Sequence, residues 1–366
     1  MEKPFHIVGP GSSYSLIPLT KMLGRHIKYA RIEEINIKRR IEYECKTRAL
    51  NAMEGLAVDR VPVMLYRHFP EQDADNSVGA YIKWARESKV DMLLLQCDGN
   101  DGCPIENVSG TIEDFKHLHP IKRTHPFIAQ QVDRAKRVSE ALSDEVAVFG
   151  LLYTAFNNVR KSMRLDFNGM DMLSAWRNHR QIVEDAIAFA RDCNDMLLDA
   201  YKEETALDGV MLSFRRNHKT FQFDEEEFRR EMLPLDLQLL QHANENFAHN
   251  IMHICGDLGE NDLTLWNDLP YQTVNWDMHV EKIDTFEKAR AFFKPGTTLM
   301  GGFDHRPGTL LYTGSKEEIQ RQTKAFLESA GQQNLILSSD CSIHYSLPSE
   351  HIHWVIEACE SYAAAR

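Results

Sequence analysis

Asn250-Ile-Met-His-Ile-Cys-Gly-Asp257 is the stretch from which the rest of the chain can be read, together with Leu335-Ile-Leu-Ser-Ser-Asp-Cys341 far downstream. Both are short apolar runs that turn polar at their carboxyl ends, as a strand buried on both faces does where it meets a loop. In a strand, residues i and i+2 project to the same face, so His253 and Cys255 point into one space. Cys341 ends a run of the same kind. If those two strand ends are neighbours, one nitrogen and two sulfurs converge, which is a donor set for zinc. Three protein ligands leave the fourth position open, the mark of a catalytic rather than a structural metal.

Working outward, six more runs have the same character: Val61–Phe69, Val90–Cys97, Val146–Ala155, Gly209–Arg215, Thr273–His279 and Thr298–Asp304. The segments between them are longer, rich in charge and apolar at helical spacing. Asp224, Asp284 and Ser315 each stand three residues before a glutamate (Glu227, Glu287, Glu318), the pattern of a helix start. Met172 to Glu204 is long enough for two helices or one extended helix. Strand and helix alternating eight times predicts a parallel sheet closed as a (β/α)8 TIM barrel. An open doubly wound sheet is the competitor, but the first strand is followed by Arg67-His-Phe-Pro70 and not by a Gly-rich nucleotide loop. Residues 1–57 precede the barrel, which takes 58–366. Within them Glu33–Glu54 reads as a helix covering one barrel end. Residues 1–30 read as an irregular arm, of the kind that lies on a partner subunit in a homodimer.

Barrel enzymes place their chemistry at the carboxyl ends of the strands. Here those ends carry Arg67 and His68, Cys97 and Asp98, Tyr153, Arg215, His253 and Cys255, Asp277 and His279, Asp304 and His305, and Asp340 and Cys341. Loops are wet, which accounts for aspartate and arginine but less well for clustered histidine and cysteine. A lone strand histidine is usually a satisfied core residue and a buried cysteine usually a small hydrophobe; it is the set His253, Cys255 and Cys341 that reads as a metal site. Cys97 and Cys103 are alternative ligands, while Cys45, Cys193 and Cys359 fall in helical segments. Arg67 and Arg215 suit an anionic substrate or an ordinary rim salt bridge. Asp257, Asp277 and Asp304 suit groups that orient ligand imidazoles. His279 and His305 suit a structural role, a fourth ligand or proton transfer.

The 366 residues are 43% hydrophobic and 26% charged, enough for a sizeable globular core. A formal net charge of -12 argues against a nucleic-acid partner. No uncharged apolar stretch approaches membrane-spanning length, and the first ten residues lack the pattern of a secretory signal. The expected setting is cytoplasmic, with the seven cysteines reduced. Two thiolates and a neutral imidazole balance a 2+ ion. Such a site suits holding a substrate thiol, whose free pKa is ~8.5, as the nucleophilic thiolate. The expected reaction is therefore alkyl transfer to a thiol rather than hydrolysis.

From about Arg39 onward the chain resembles the uroporphyrinogen decarboxylase superfamily of (β/α)8 barrels. The resemblance is carried by Arg48-Ala-Leu-Asn-Ala-Met-Glu-Gly-Leu-Ala-Val-Asp-Arg-Val-Pro-Val63, His253-Ile-Cys-Gly-Asp257, Met300-Gly-Gly-Phe-Asp304 and Gly314-Ser-Lys-Glu-Glu318. It is similar in particular to the branch of cobalamin-dependent methyltransferases that includes the methylcobalamin:coenzyme M methyltransferases. That branch carries His-x-Cys and a later Cys as zinc ligands, at the positions held here by His253, Cys255 and Cys341. The decarboxylases instead have Gly-His-Gly where this chain has Asp340-Cys-Ser342, and two arginines after the first strand where this chain keeps only Arg67. Asp98 falls near their catalytic aspartate. The resemblance implies methyl transfer from methylcobalamin or a protein-bound methylated corrinoid to a zinc-activated acceptor, with a corrinoid protein as partner. Arg67, Tyr153 and Arg215 would orient a small-molecule acceptor, with Asp98 and Asp304 nearby. One alternative is a metal-free decarboxylase using Asp98, Arg67 and Tyr153; another is a non-catalytic corrinoid- or tetrapyrrole-binding barrel.

Overall fold

Alternation along each apolar run settles the architecture. In the computed structural model the described residues are 44–69, 74–100, 102–105, 109, 111–163, 172–216, 223–256 and 259–365. Eight strands, seven of them inside the runs read from the sequence and β5 starting one residue ahead of its run, form a single sheet: β1 (Val63–Met64), β2 (Met92–Leu95), β3 (Ala147–Tyr153), β4 (Gly209–Phe214), β5 (His249–Ile254), β6 (Thr273–Trp276), β7 (Thr298–Phe303) and β8 (Leu335–Ser339). The order is β1-β8-β7-β6-β5-β4-β3-β2, with every paired neighbour parallel. With helices between the strands, this is a (β/α)8 TIM barrel.

One side-chain set from each strand enters the barrel and the other faces the helices. Met64, Met92, Phe149, Met211, Ile251, Met300 and Ile336 form the inner core. Their chain neighbours Val63, Leu93, Val148, Leu212, Met252, Leu299 and Leu337 belong to the outer layer. The helix Cys45–Met53 packs Ala49, Ala52 and Met53 onto that inner core. The Thr298 hydroxyl donates to the Ala52 carbonyl (3.1 Å), tying the helix to the amino-terminal end of β7. The remainder of the helix read over 33–54, and the arm 1–30, lie outside the described residues.

Among the described residues no ladder joins β1 to β2; Asp91 ties the amino-terminal end of that seam. The Asp91 N–H donates to the Val63 carbonyl (2.9 Å), and the Asp91 carboxylate accepts from the Val63 N–H (2.8 Å). The same buried carboxylate is held by Arg48 (2.6 Å) and Arg60 (2.7 Å), and Arg48 also grips Asp59 (2.6 Å). Burial alone would lower the Arg48 pKa, but its two carboxylate partners raise it above the ordinary guanidinium value.

The helix starts follow the sequence at two of three places. Asp224 caps through the Glu227 N–H, and Ser315 with Glu318 makes a full capping box. The third differs by one residue: Thr285 and not Asp284 caps, accepting from the Lys288 N–H, while Asp284 pairs with Lys288. The helix begins at Phe286, one residue later than the pattern implied, which makes Thr285 its N-cap. Met172 to Glu204 forms two helices, Met172–Asn178 and Arg180–Glu204. Among the described residues no helix is long and apolar enough to cross a membrane.

Candidate metal centre

Inward alternation continues up β5 past Ile251 to His253 and Cys255, which are both buried. Cys341 arrives differently. β8 ends at Ser339, and its inward residues are Ile336 and Ser338. Continued alternation would have turned Cys341 outward, so leaving the strand is what brings it to the site. The bend is fixed where the Ser339 hydroxyl donates to the Cys341 carbonyl (2.6 Å). Cys341 Sγ then lies 3.7 Å from His253 Nε2 and 3.9 Å from Cys255 Sγ. All three ligand atoms fall within 4.8 Å of one another.

These spacings fit zinc. Tetrahedral zinc with Zn–S of ~2.3 Å and Zn–N of ~2.0–2.1 Å sets its sulfurs ~3.8 Å apart and nitrogen from sulfur ~3.5 Å. The donors are also prepared for a cation. Asn275, on β6 in register with His253, donates its amide to the carbonyls of Met300 (2.9 Å) and Ser339 (3.2 Å). Its Oδ1 therefore faces His253 Nδ1 at 2.5 Å and requires the proton there. The lone pair is left on Nε2, the atom facing Cys341. Tyr66 adds a second donor to the same Oδ1 (3.3 Å). The neighbouring Cys341 sulfur, and then burial, push the Cys255 thiol well above its ordinary pKa, against the pull of Arg215. Two adjacent thiols, Cys255 buried and Cys341 half-buried, ionise together only with a positive charge between them.

The three donors line a cavity of about 280 Å³ at the carboxyl ends of the strands. Its floor is Leu94, Leu151 and Met211, and its wall includes His68, Tyr153, Arg160, Lys161 and Arg215. Arg215 donates to Cys255 Sγ at 2.8 Å. Arg160 and Lys161 are placed by the helix Ala155–Ser162, whose start is capped by Thr154. Lys161 Nζ stands 4.3 Å from the centre of the Tyr153 ring. Burial raises the Tyr153 phenol well above its ordinary value, so it remains a neutral donor.

Other residues read from the sequence lie elsewhere. Arg67 has the parity of Val63 and Leu65, so its guanidinium rests over Phe69 (4.5 Å) and Trp84 (5.2 Å), outside the lining, while His68 takes the inward place. Asp98 accepts from His68 (2.6 Å) and the Phe69 N–H (2.8 Å); burial opposes its ionisation, but His68 holds it below the ordinary carboxylate range. Asp98 thus positions His68. Cys97 donates to the Leu151 carbonyl (3.0 Å) and Cys103 sits against Ser162, so neither joins the metal group. Asp304 pairs with Arg306 and, with His279, lines a separate cavity of about 570 Å³. Asp277, His279, His305 and Asp340 gather beside the centre. There burial, then the Asp340 charge, push Asp277 up to about 9. Asp257 lies outside the described residues. Sequence reading passed over Asn275, Arg160 and Lys161. Asn275 had a signal, a buried amide in the middle of an apolar strand; the two cations, on a helix after β3, had none.

A profile of the uroporphyrinogen decarboxylase (URO-D) family matches residues 95–362, more than half of the chain. No curated protein matches the sequence. Among solved structures, the "methyltransferase from Methanosarcina mazei" superposes with a TM-score of 0.68 at 17% identity, over 88% of this chain and 99% of that one. The endo-beta-1,4-mannanase from Thermotoga petrophila gives 0.50 at 9% identity, over 84% and 78%. At such identities the superpositions bear on the fold alone, a barrel that serves unrelated chemistries. The family rests on the sequence match: this chain belongs to the uroporphyrinogen decarboxylase (URO-D) family.

Proposed function

We propose that this protein is a zinc-dependent methyltransferase that moves a methyl group from a methylated corrinoid, presented by a separate corrinoid protein, to a small thiol. The observation that carries the reading is one oriented imidazole and two thiols converging in the wall of a small cationic cavity. Zinc held by His253, Cys255 and Cys341 would take a substrate thiol at its open position and free it of its proton. The protein's own residues do the rest. Asn275 keeps His253 in the coordinating tautomer. Arg215 donates to Cys255 Sγ and draws charge from it. Arg160 and Lys161 offer positive charge to the anionic end of the acceptor, and Leu94, Leu151 and Met211 keep the floor apolar. A metal-free decarboxylase would need Arg67 and Asp98 on the substrate, yet Arg67 lies over Phe69 and Trp84 and Asp98 is engaged by His68. The reading places the protein in the cytoplasm, where its cysteines, none of them in a disulfide, stay reduced, and includes a homodimer.

The test is demethylation of methylcobalamin, followed by visible absorbance, against a panel of anionic and neutral thiols with and without chelator. We expect turnover with an anionic thiol and one zinc per chain, both lost in Cys255→Ala and Cys341→Ala. Turnover indifferent to chelator, or full zinc content in both variants, overturns the reading.

A further inference from the structure

A thiol must lose its proton before its sulfur can take a methyl group, and one side chain of the cavity is set to receive it. His68 follows β1 and lines the same cavity of about 280 Å³ as His253, Cys255 and Cys341. That volume is at the small end for a ligand site, so a molecule seated there meets both walls. Strand pairing brings His68 to this place. Arg67 bridges Ile343 in parallel, and the Ile343 N–H donates to the Tyr66 carbonyl (2.8 Å). The segment carrying His68 thus runs beside the one that carries Cys341. Among the described residues no hydrogen bond or ion pair joins His68 to His253, Cys255 or Cys341.

The His68 ring is already set as a base. Its Nδ1 lies 2.6 Å from Asp98 Oδ1, and an ionised carboxylate only accepts, so the ring proton belongs on Nδ1. Asp98 is fixed in turn by the Phe69 N–H (2.8 Å), and Arg134 donates to its backbone carbonyl (3.1 Å). Nε2 keeps its lone pair and has no hydrogen-bond partner among the described residues. The His68 side chain is 43% exposed and that of Asp98 12%, so the ring reaches water while the carboxylate behind it is sheltered. The neighbours in the wall are worse acceptors. Arg160, Lys161 and Arg215 bring positive charge. Burial raises the phenols of Tyr66 and Tyr153, which keep their protons. His253 gives its Nδ1 proton to Asn275 and turns Nε2 toward Cys341.

On the methyltransferase reading above, we infer that His68, set by Asp98, accepts the proton of the substrate thiol. The S–H bond breaks, its electron pair stays on sulfur, and the proton forms an N–H bond at His68 Nε2. Nothing is oxidised or reduced in this step. The imidazolium then lies between the Asp98 carboxylate and the new thiolate, and two opposite charges favour it over the neutral ring. Methylation of the sulfur removes the thiolate charge, and the proton leaves Nε2 for water along the exposed edge of the ring.

The test counts protons. Zinc-loaded, full-length protein without corrinoid is titrated calorimetrically with mercaptoacetate at about pH 7.5, between the ranges in which free imidazole and free thiol titrate. Comparison of the heat in phosphate and in Tris gives the protons released to buffer per thiol bound. The wild type should release well under half a proton, because His68 retains it. His68→Gln should release roughly one, as expected for a thiol bound as thiolate with no acceptor beside it. Its zinc content should be unchanged, which also shows that the variant folds. Equal release by wild type and His68→Gln overturns the inference and leaves the methyltransferase reading standing. No binding of the thiol, or binding indifferent to removal of zinc, overturns both.

Discussion

His253 turns the lone pair of Nε2 toward Cys341 because of Asn275. The amide is locked by two backbone carbonyls, so its oxygen decides which ring nitrogen keeps the proton. Replacing Asn275 with Ala should free the ring to take either tautomer and lower zinc affinity by roughly 10–100-fold, measured by competition with a chromophoric chelator. Unchanged affinity would mean that the ring is fixed by packing alone. Arg160 and Lys161 belong to substrate selection. Each change to Ala should raise KM for an anionic thiol by roughly tenfold, the worth of one charge-assisted hydrogen bond, with little effect on zinc content. An equal rise for a neutral thiol would show instead that the cavity had changed shape.

At the scale of elements, the two-residue period of the strands decides who enters the barrel. It puts His253 and Cys255 on one face, which is legible from the sequence. By the same rule it turns Arg67 toward Trp84 and brings His68 inside, and it would have excluded Cys341 had β8 run two residues further. Strand ends are set by tertiary packing, so that one detail was hidden. The helix Leu233–Asn246 carries a different consequence. Its Asp236 is buried, accepts from Trp266 Nε1 (2.8 Å), and is raised by burial to about 7. Below about pH 4 the carboxyl is protonated whether the chain is folded or not. As pH rises toward 7 the unfolded chain ionises first, so this contribution to stability is lost. Asp236→Asn keeps an acceptor for Trp266 and never ionises. Thermal unfolding should show its stability gaining on wild type between about pH 4 and 7 and levelling above that range; a constant difference would mean that Asp236 ionises normally in the fold.

For the whole barrel, the critical place is the seam between β1 and β2. Asp91 substitutes for a ladder there and is neutralised by Arg48 and Arg60. Asp91→Ala removes the seam bond and strands two buried guanidinium groups. It should cost about 3–5 kcal/mol, seen as a large drop in Tm, whereas a loss under about 1 kcal/mol would show that packing closes the barrel unaided. The Asp59-Arg60-Val-Pro62 turn, recognised in the sequence as a family feature, thereby acquires a physical role. Eight apolar runs of strand length, separated by helical spacing, were enough to determine the barrel, because burial on both faces leaves its imprint on every residue of a strand. That His253 and Cys255 share one strand face was also readable, because histidine and cysteine are scarce and their two-residue spacing has one geometric meaning. What only the tertiary structure decided is the company those donors keep: Asn275 behind the imidazole, Arg160 and Lys161 above the cavity, and Asp277 facing Asp340. Those residues lie far apart along the chain, and their meeting depends on register and closure, which no local pattern encodes.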